Sequence, residues 1–135
     1  MPVLFMSSIT REFVRSHQTW LFVFGDNLAK KGLGGQAREM RGEPNAVGIA
    51  TKCSPSMNSD AFFSDSDIHN VIVMGAIKDS FRILEFHLLS GDVVVIPKNG
   101  VGGGLANLPV NAPLIDTFIK DSIERLVNIY GLTAL

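Results

Sequence analysis

The sequence predicts an α/β fold: a mostly parallel sheet with helices on both faces, a three-layer α/β/α sandwich forming one domain over residues 1–135. Three observations predict it. Short runs at residues 20–24 and 93–96 are apolar at every position, as in strands covered on both faces. Longer segments carry apolar residues at spacings of three and four, the signature of helices with one buried face. The two patterns alternate along the chain, four of each without an internal repeat, which is the order of parallel crossover units.

Residues 2–6 are a short apolar run, read as a first strand, with Pro2 suiting a sheet edge. Ser7-Ser8-Ile9-Thr10 offers a cap, and Ile9, Phe13 and Val14 fall at helical spacing, so a short helix to about His17 comes next. The second strand is the run Trp20, Leu21, Phe22, Val23 and Phe24, stopped by Gly25-Asp26-Asn27. A basic turn then leads to Gly34-Gly35-Gln36-Ala37, where a helix of about two turns is expected to start and to reach Met40. Gly42-Glu43-Pro44-Asn45 has turn chemistry, and residues 46–50 form a weaker third strand with Thr51-Lys52 at its end. Residues 53–65 read as a loop, with Asp65 or Ser66 available to cap the next helix. From Ile68, apolar positions 74, 77, 81, 84 and 88 mark a long helix ending near Ser90-Gly91. Val93-Val94-Val95-Ile96 is the clearest buried strand, ended by Pro97 and followed by a second glycine loop, Lys98 to Leu105. The last helix begins near Pro113, presents Ile115, Phe118, Ile119, Ile123, Leu126, Val127 and Tyr130, and stops at Gly131.

Composition narrows the class. With 46% hydrophobic and 19% charged residues the chain is globular and soluble in type, and a net charge of -1 supplies no field for nucleic acid. No segment reaches the roughly 18 apolar residues of a membrane span, and Arg11 and Arg15 interrupt any leader-like stretch. Cys53 is the single cysteine, so internal disulfides and cysteine-based metal sites are excluded, and a reducing, cytoplasmic setting is expected. His17, His69 and His87 share no ligand spacing; no metal and no cofactor are expected. The long helix is apolar enough that both a monomer and a helix-packed homodimer stay open.

Two glycine loops, each after a buried strand, share the carboxyl edge of a parallel sheet, where open α/β sheets bind ligands. Glycine lets the backbone approach a ligand and turn N–H groups toward anionic oxygens, and a helix starting at Gly34-Gly35 would add its amides. The pattern suits a phosphorylated ligand. Neither loop is a P-loop or a dinucleotide fingerprint, so triphosphate hydrolysis and nicotinamide redox chemistry are not expected. Asp26 at the strand end is a candidate to hold hydroxyl groups or to act as a base on water, with a turn role as the alternative. Thr51, Lys52, Lys98 and Asn99 follow strands; the lysines meet phosphate charge or are merely solvated. Cys53 next to Lys52 has no partner in sequence and reads as a plain thiol, and the Phe62-Phe63 pair either stacks on a base or anchors its loop.

The segments Asn27-Leu28 with Gly34-Gly35-Gln36-Ala37, and Val95-Ile96-Pro97 through Gly102-Gly103-Gly104 to Leu108-Pro109, resemble the two loop motifs of macro domains. Ser7-Ser8-Ile9-Thr10 sits where that family often carries Gly-Asp-Ile-Thr. The signatures at Phe24 to Leu28 and Pro44 to Ile49 are similar to those of a small phage-type and bacterial subgroup, and the resemblance spans about residues 3–130. It implies a partner of the ADP-ribose type, a small-molecule nucleotide. Asn27, Gly34, Gly35 and Ala37 would approach the distal ribose, with the Asp26 carboxylate beside it, and Val101, Gly102, Gly103 and Gly104 the diphosphate; Gly25 and Leu105 complete the expected ligand-binding set. Two departures stand out: Gly25-Asp26 replaces the family's Ala-Ala, and Ser8 replaces the aspartate that reads adenine. A binder is therefore the first expectation. The alternatives are a hydrolase of ADP-ribosylated or phosphorylated ADP-ribose substrates, with Asp26 and Asn27 around a water, and a sponge for a nucleotide immune signal.

Overall fold

Four strands, β1 (Val3–Met6), β2 (Leu21–Asn27), β3 (Ala46–Lys52) and β4 (Val94–Pro97), make one sheet in the order β1-β4-β2-β3, and all three pairings are parallel. The coordinates are a computed structural model that describes residues 2–133. Strand β2 shows why a continuous apolar run is needed. Leu21 and Val23 point into the core shared with the long helices, while Phe22 and Phe24 point into a second core on the opposite face. Alternate side chains serve alternate layers. Strand β1 ends this order, but its outer side is not the bare edge that Pro2 predicts: the Val3 amide donates to the Gly131 carbonyl and the Val3 carbonyl accepts from the Thr133 amide, a parallel bridge to Leu132.

The first layer holds α1 (Arg11–Ser16) and α2 (Ala37–Met40), with Val14, Ala37 and Met40 buried against Phe22, Phe24 and Val95. Thr10 caps α1, its hydroxyl accepting from the Phe13 amide at 3.2 Å. Glu43 accepts from Arg11 at 2.5 Å and from Arg15 at 3.1 Å, and the buried Asn45 amide donates to the carbonyls of Val14, His17 and Trp20. The turn before β3 is thereby tied to the residues that enter β2. The second layer holds α3 (Val71–Leu89), α4 (Leu108–Asn111) and α5 (Pro113–Tyr130). Of the expected α3 stripe, Met74, Ile77, Leu84 and Leu88 are buried and Phe81 packs beside them; Ile115, Ile119, Ile123 and Leu126 do the same for α5. Each such side chain contributes about 1.5–3 kcal/mol relative to an exposed one.

The boundaries differ from the sequence reading in several places, and one helix is added. Strand β2 continues through Gly25, Asp26 and Asn27 because parallel pairing to β3 persists to Lys52, with a register shift between Asp26 and Asn27. Helix α2 is a single turn from Ala37: Gly35 has φ +55, which an α-helix cannot contain, so no helix starts at Gly34-Gly35. Helix α3 starts at Val71 rather than Ile68. A 3-10 stretch, Asp65–His69, precedes it, and Asn70 is the cap, accepting from Ile72 and Val73. The short α4 makes a fifth helix among the described residues.

Candidate functional site

Neighbouring strands β2 and β4 send the chain to opposite faces, β2 toward α2 and β4 toward α4 and α5. Where adjacent parallel strands diverge in this way a crevice opens at their carboxyl ends. Here it is a cleft of about 510 Å³, walled by the loop after β2, the loop after β4, the end of β3 and Pro55. Most of the sequence-predicted residues meet in it: Gly25, Asp26, Asn27, Gly34, Gly35, Ala37, Thr51, Lys52, Asn99, Gly102, Gly103, Gly104 and Leu105. Lys98 and Val101 do not. Lys98 is exposed outside the wall, and Val101 is buried in the core beneath the second loop. Ser7 and Ser8, at the end of β1, also stand outside the wall.

Gln36 joins the two loops. Its Oε1 accepts from the Gly25 amide at 2.6 Å and its Nε2 donates to the Gly100 carbonyl at 3.0 Å. The second loop turns sharply at Gly102, with φ +86; a Cβ there would lie 3.0 Å from Leu108 Cβ and Cδ2, so any side chain would be both strained and crowded. Gly103, Gly104 and Leu105 are exposed residues whose three successive amides donate to no acceptor among the described residues. Such a run suits an anion.

Asp26 is held rather than free. Its carboxylate accepts from Arg41 Nη2 at 2.5 Å and Nη1 at 3.3 Å, and from the Asn27 amide at 2.7 Å. The fork-on-fork geometry is the strong form of an ion pair. The acid packs directly over Gly48, where a Cβ would come within 2.5 Å of its Oδ2. Arg41 also donates to the carbonyls of Gly32 and Lys31 and stacks on Phe24, which fixes the first loop from below. The Asn27 side chain spans the turn, donating to the Lys31 carbonyl at 2.8 Å and accepting from its amide at 3.4 Å. Both proposed catalytic groups thus brace the cleft wall. Thr51 supports them, its hydroxyl donating to the Asp26 carbonyl at 3.0 Å.

Lys52 is buried, contrary to the solvated alternative. Its ammonium donates to the Ser56 carbonyl at 2.8 Å and lies 4.4 Å from the Phe62 ring centroid. This draws residues 53–57 toward the cleft, where Pro55 Cβ would be 3.2 Å from a Cβ at Gly32. Phe63 is the fully buried anchor of that loop. Burial, reinforced by Asp67 and Asp60, pushes the Cys53 thiol above its ordinary value, which disfavours the thiolate. No group of three or more His, Cys, Asp or Glu side chains among the described residues could hold a metal. No helix among them is long and apolar enough to cross a membrane.

Sequence reasoning misses Gln36 and Arg41 as site residues. The available signal is spacing: Ala37 lines the cleft, and Arg41 stands four residues on, one helical turn along the same side. The sequence pattern of a family of unknown function (DUF7831) matches residues 4–122. No curated protein and no solved structure matches the chain.

Proposed function

We propose that this chain, which belongs to that family, binds ADP-ribose or a related nucleotide in the cleft between the loops after β2 and β4. The observation that carries the reading is the run of unpartnered amides at Gly103, Gly104 and Leu105 in a cleft whose charged lining is Lys31, Arg41, Lys52 and only one acid, Asp26. That balance favours an anion, and a diphosphate is the group that successive loop amides recognise. The volume lies within the ~300–1,000 Å³ of small-ligand sites. The resemblance to macro domains supports the orientation, with the distal ribose near Asn27, Gly34 and Gly35 and the diphosphate along Gly102 to Gly104. Binding is favoured over hydrolysis because the Asp26 carboxylate is already engaged by Arg41 and the Asn27 amide. Retention of a nucleotide signal without turnover is the same chemistry, and a cytoplasmic setting accords with the lone thiol.

Titration calorimetry with ADP-ribose, ADP and ribose 5-phosphate tests the reading. Saturable heat with a Kd of roughly micromolar order is expected, and chromatography of the recovered ligand should return it unchanged. No heat from any of the three at millimolar concentration would overturn the proposal.

A further inference from the structure

Helix α3 carries a second stripe on the side away from the sheet. Ile72, Gly75, Asp79, Arg82, Phe86 and Leu89 follow each other at alternating spacings of three and four, the repeat of a two-helix seam. Ile72, Phe86 and Leu89 are 76%, 74% and 70% exposed, so the apolar members of this stripe have little cover among the described residues. Asp79 and Arg82 pair with each other on the surface at its centre. At Gly75 an added Cβ would meet nothing within 4 Å, which leaves a dimple beside the helix backbone.

We propose that this face is a homodimer interface in which two copies of α3 pack antiparallel about a twofold axis passing between Asp79 and Arg82. The stripe is complementary to itself on reversal. Ile72 meets the partner's Leu89, Phe86 enters the dimple at the partner's Gly75, and Asp79 faces the partner's Arg82. Every layer is satisfied twice by the symmetry. The direction is decided by charge and volume. A parallel pair would set Asp79 on its own copy and Arg82 on its own copy, and would leave the two glycine dimples facing each other. The reversed pair alternates acid with base in a four-membered cluster and fills both dimples with phenylalanine. Interaxial distances of about 8–10 Å are reached most easily where one helix offers glycine. A single helix pair sits at the low end of stable interfaces, near ~1,200 Å² in total, so the dimer should dissociate on dilution.

Sedimentation velocity and light scattering on the whole chain between about 1 and 200 μM test this, a range chosen to span a micromolar Kd. A dimer that dissociates at the low end is expected. Phe86→Glu should weaken association by at least about tenfold, as loss of a buried aromatic anchor does. Gly75→Leu should do the same while keeping or raising the helix content and Tm of the monomer, because leucine is the better helix former. Asp79→Arg and Arg82→Asp should each weaken the dimer, and the double exchange should restore it. A wild-type chain that stays monomeric at the highest concentration overturns the proposal, as does a Phe86→Glu chain that dimerises unchanged. Failure of the double exchange to restore association overturns the antiparallel register.

Discussion

The Asp26–Arg41 pair gives the sharpest test of how the cleft wall is held. Replacing Arg41 with methionine keeps an unbranched apolar chain at this position but removes the guanidinium from over Phe24, the fork from Asp26 and the donors to Gly32 and Lys31. The Asp26 side chain is 8% exposed, so the carboxylate left behind is a mostly buried charge with only the Asn27 amide for support. Deleting one partner of a fully buried pair costs roughly 3–5 kcal/mol. Arg41 keeps 19% exposure, which admits some water, so we expect about 2–3 kcal/mol. For a chain of this size that is a fall in Tm of about 6–12 °C. Asp26→Asn should cost less, about 1 kcal/mol, because the guanidinium keeps its two backbone carbonyls and its partial exposure to water. In the double variant, Asp26→Asn with Arg41→Met, the orphan charge is gone and part of the loss should return. Urea unfolding of the four proteins closes the cycle. If Arg41→Met lies within about 0.5 kcal/mol of the parent, or costs no more than Asp26→Asn, the pair is not what braces the first loop.

Two further outcomes rest on the same geometry. Gly102→Ala should destabilise by about 1–3 kcal/mol, since a left-handed backbone is combined with a Cβ pressed against Leu108. Gly35→Ala has the backbone strain without the clash and should cost only about 1 kcal/mol, so equal losses in urea would show that packing at Leu108 is irrelevant. Hydrogen bonds from Arg15 and then Arg11 hold the Glu43 carboxyl below its ordinary value, and Tyr130 and Arg125 do so for Glu85. A depressed acid adds stability that is complete above its unfolded value of about 4.3 and is lost as pH falls through the folded value. Thermal melts should therefore steepen in their decline below about pH 4, and Glu43→Gln should be less stable at neutral pH yet less acid-sensitive. An unchanged acid limb in that variant would remove Glu43 as a cause. Tyr130, raised by its bond to Glu85, works on the alkaline side: its contribution is present below the unfolded value of about 10 and is lost as pH rises through the raised one.

The layers were legible in the sequence because burial leaves a period. Positions 74, 77, 81, 84 and 88 announce a helix with one covered side, and residues 93–96 announce a strand covered on both. The place of the cleft was legible too, from glycines after two buried strands. What could not be read were the links across it. Gln36 reaches Gly25 and Gly100, eleven and 64 residues away, and Arg41 reaches Asp26 at a separation of fifteen; no local pattern encodes such pairings. The same reason hides the fate of Lys52, whose burial depends on Phe62 and on the Ser56 carbonyl folding back over it. The expected helix start at Gly34-Gly35 failed for a local reason, the positive φ of Gly35, which glycine permits and therefore does not announce.

The position of β4 in the sheet has a consequence for how the chain is made. Val94 pairs with Val3 on one side and with Leu21 on the other, so the central seam of the sheet joins segments more than seventy residues apart. During synthesis β2 and β3 can meet early, through the short α2 connection, but β1 has no neighbour until residue 97 has left the ribosome. Over that interval the edge of β2 that carries Leu21 and Phe22 stays unpaired, a template for the wrong strand. Pairings so distant in sequence close slowly. The nascent chain is therefore most exposed to misassembly late in translation, and the arrival of Val94–Pro97 ends that exposure for both halves of the sheet at once.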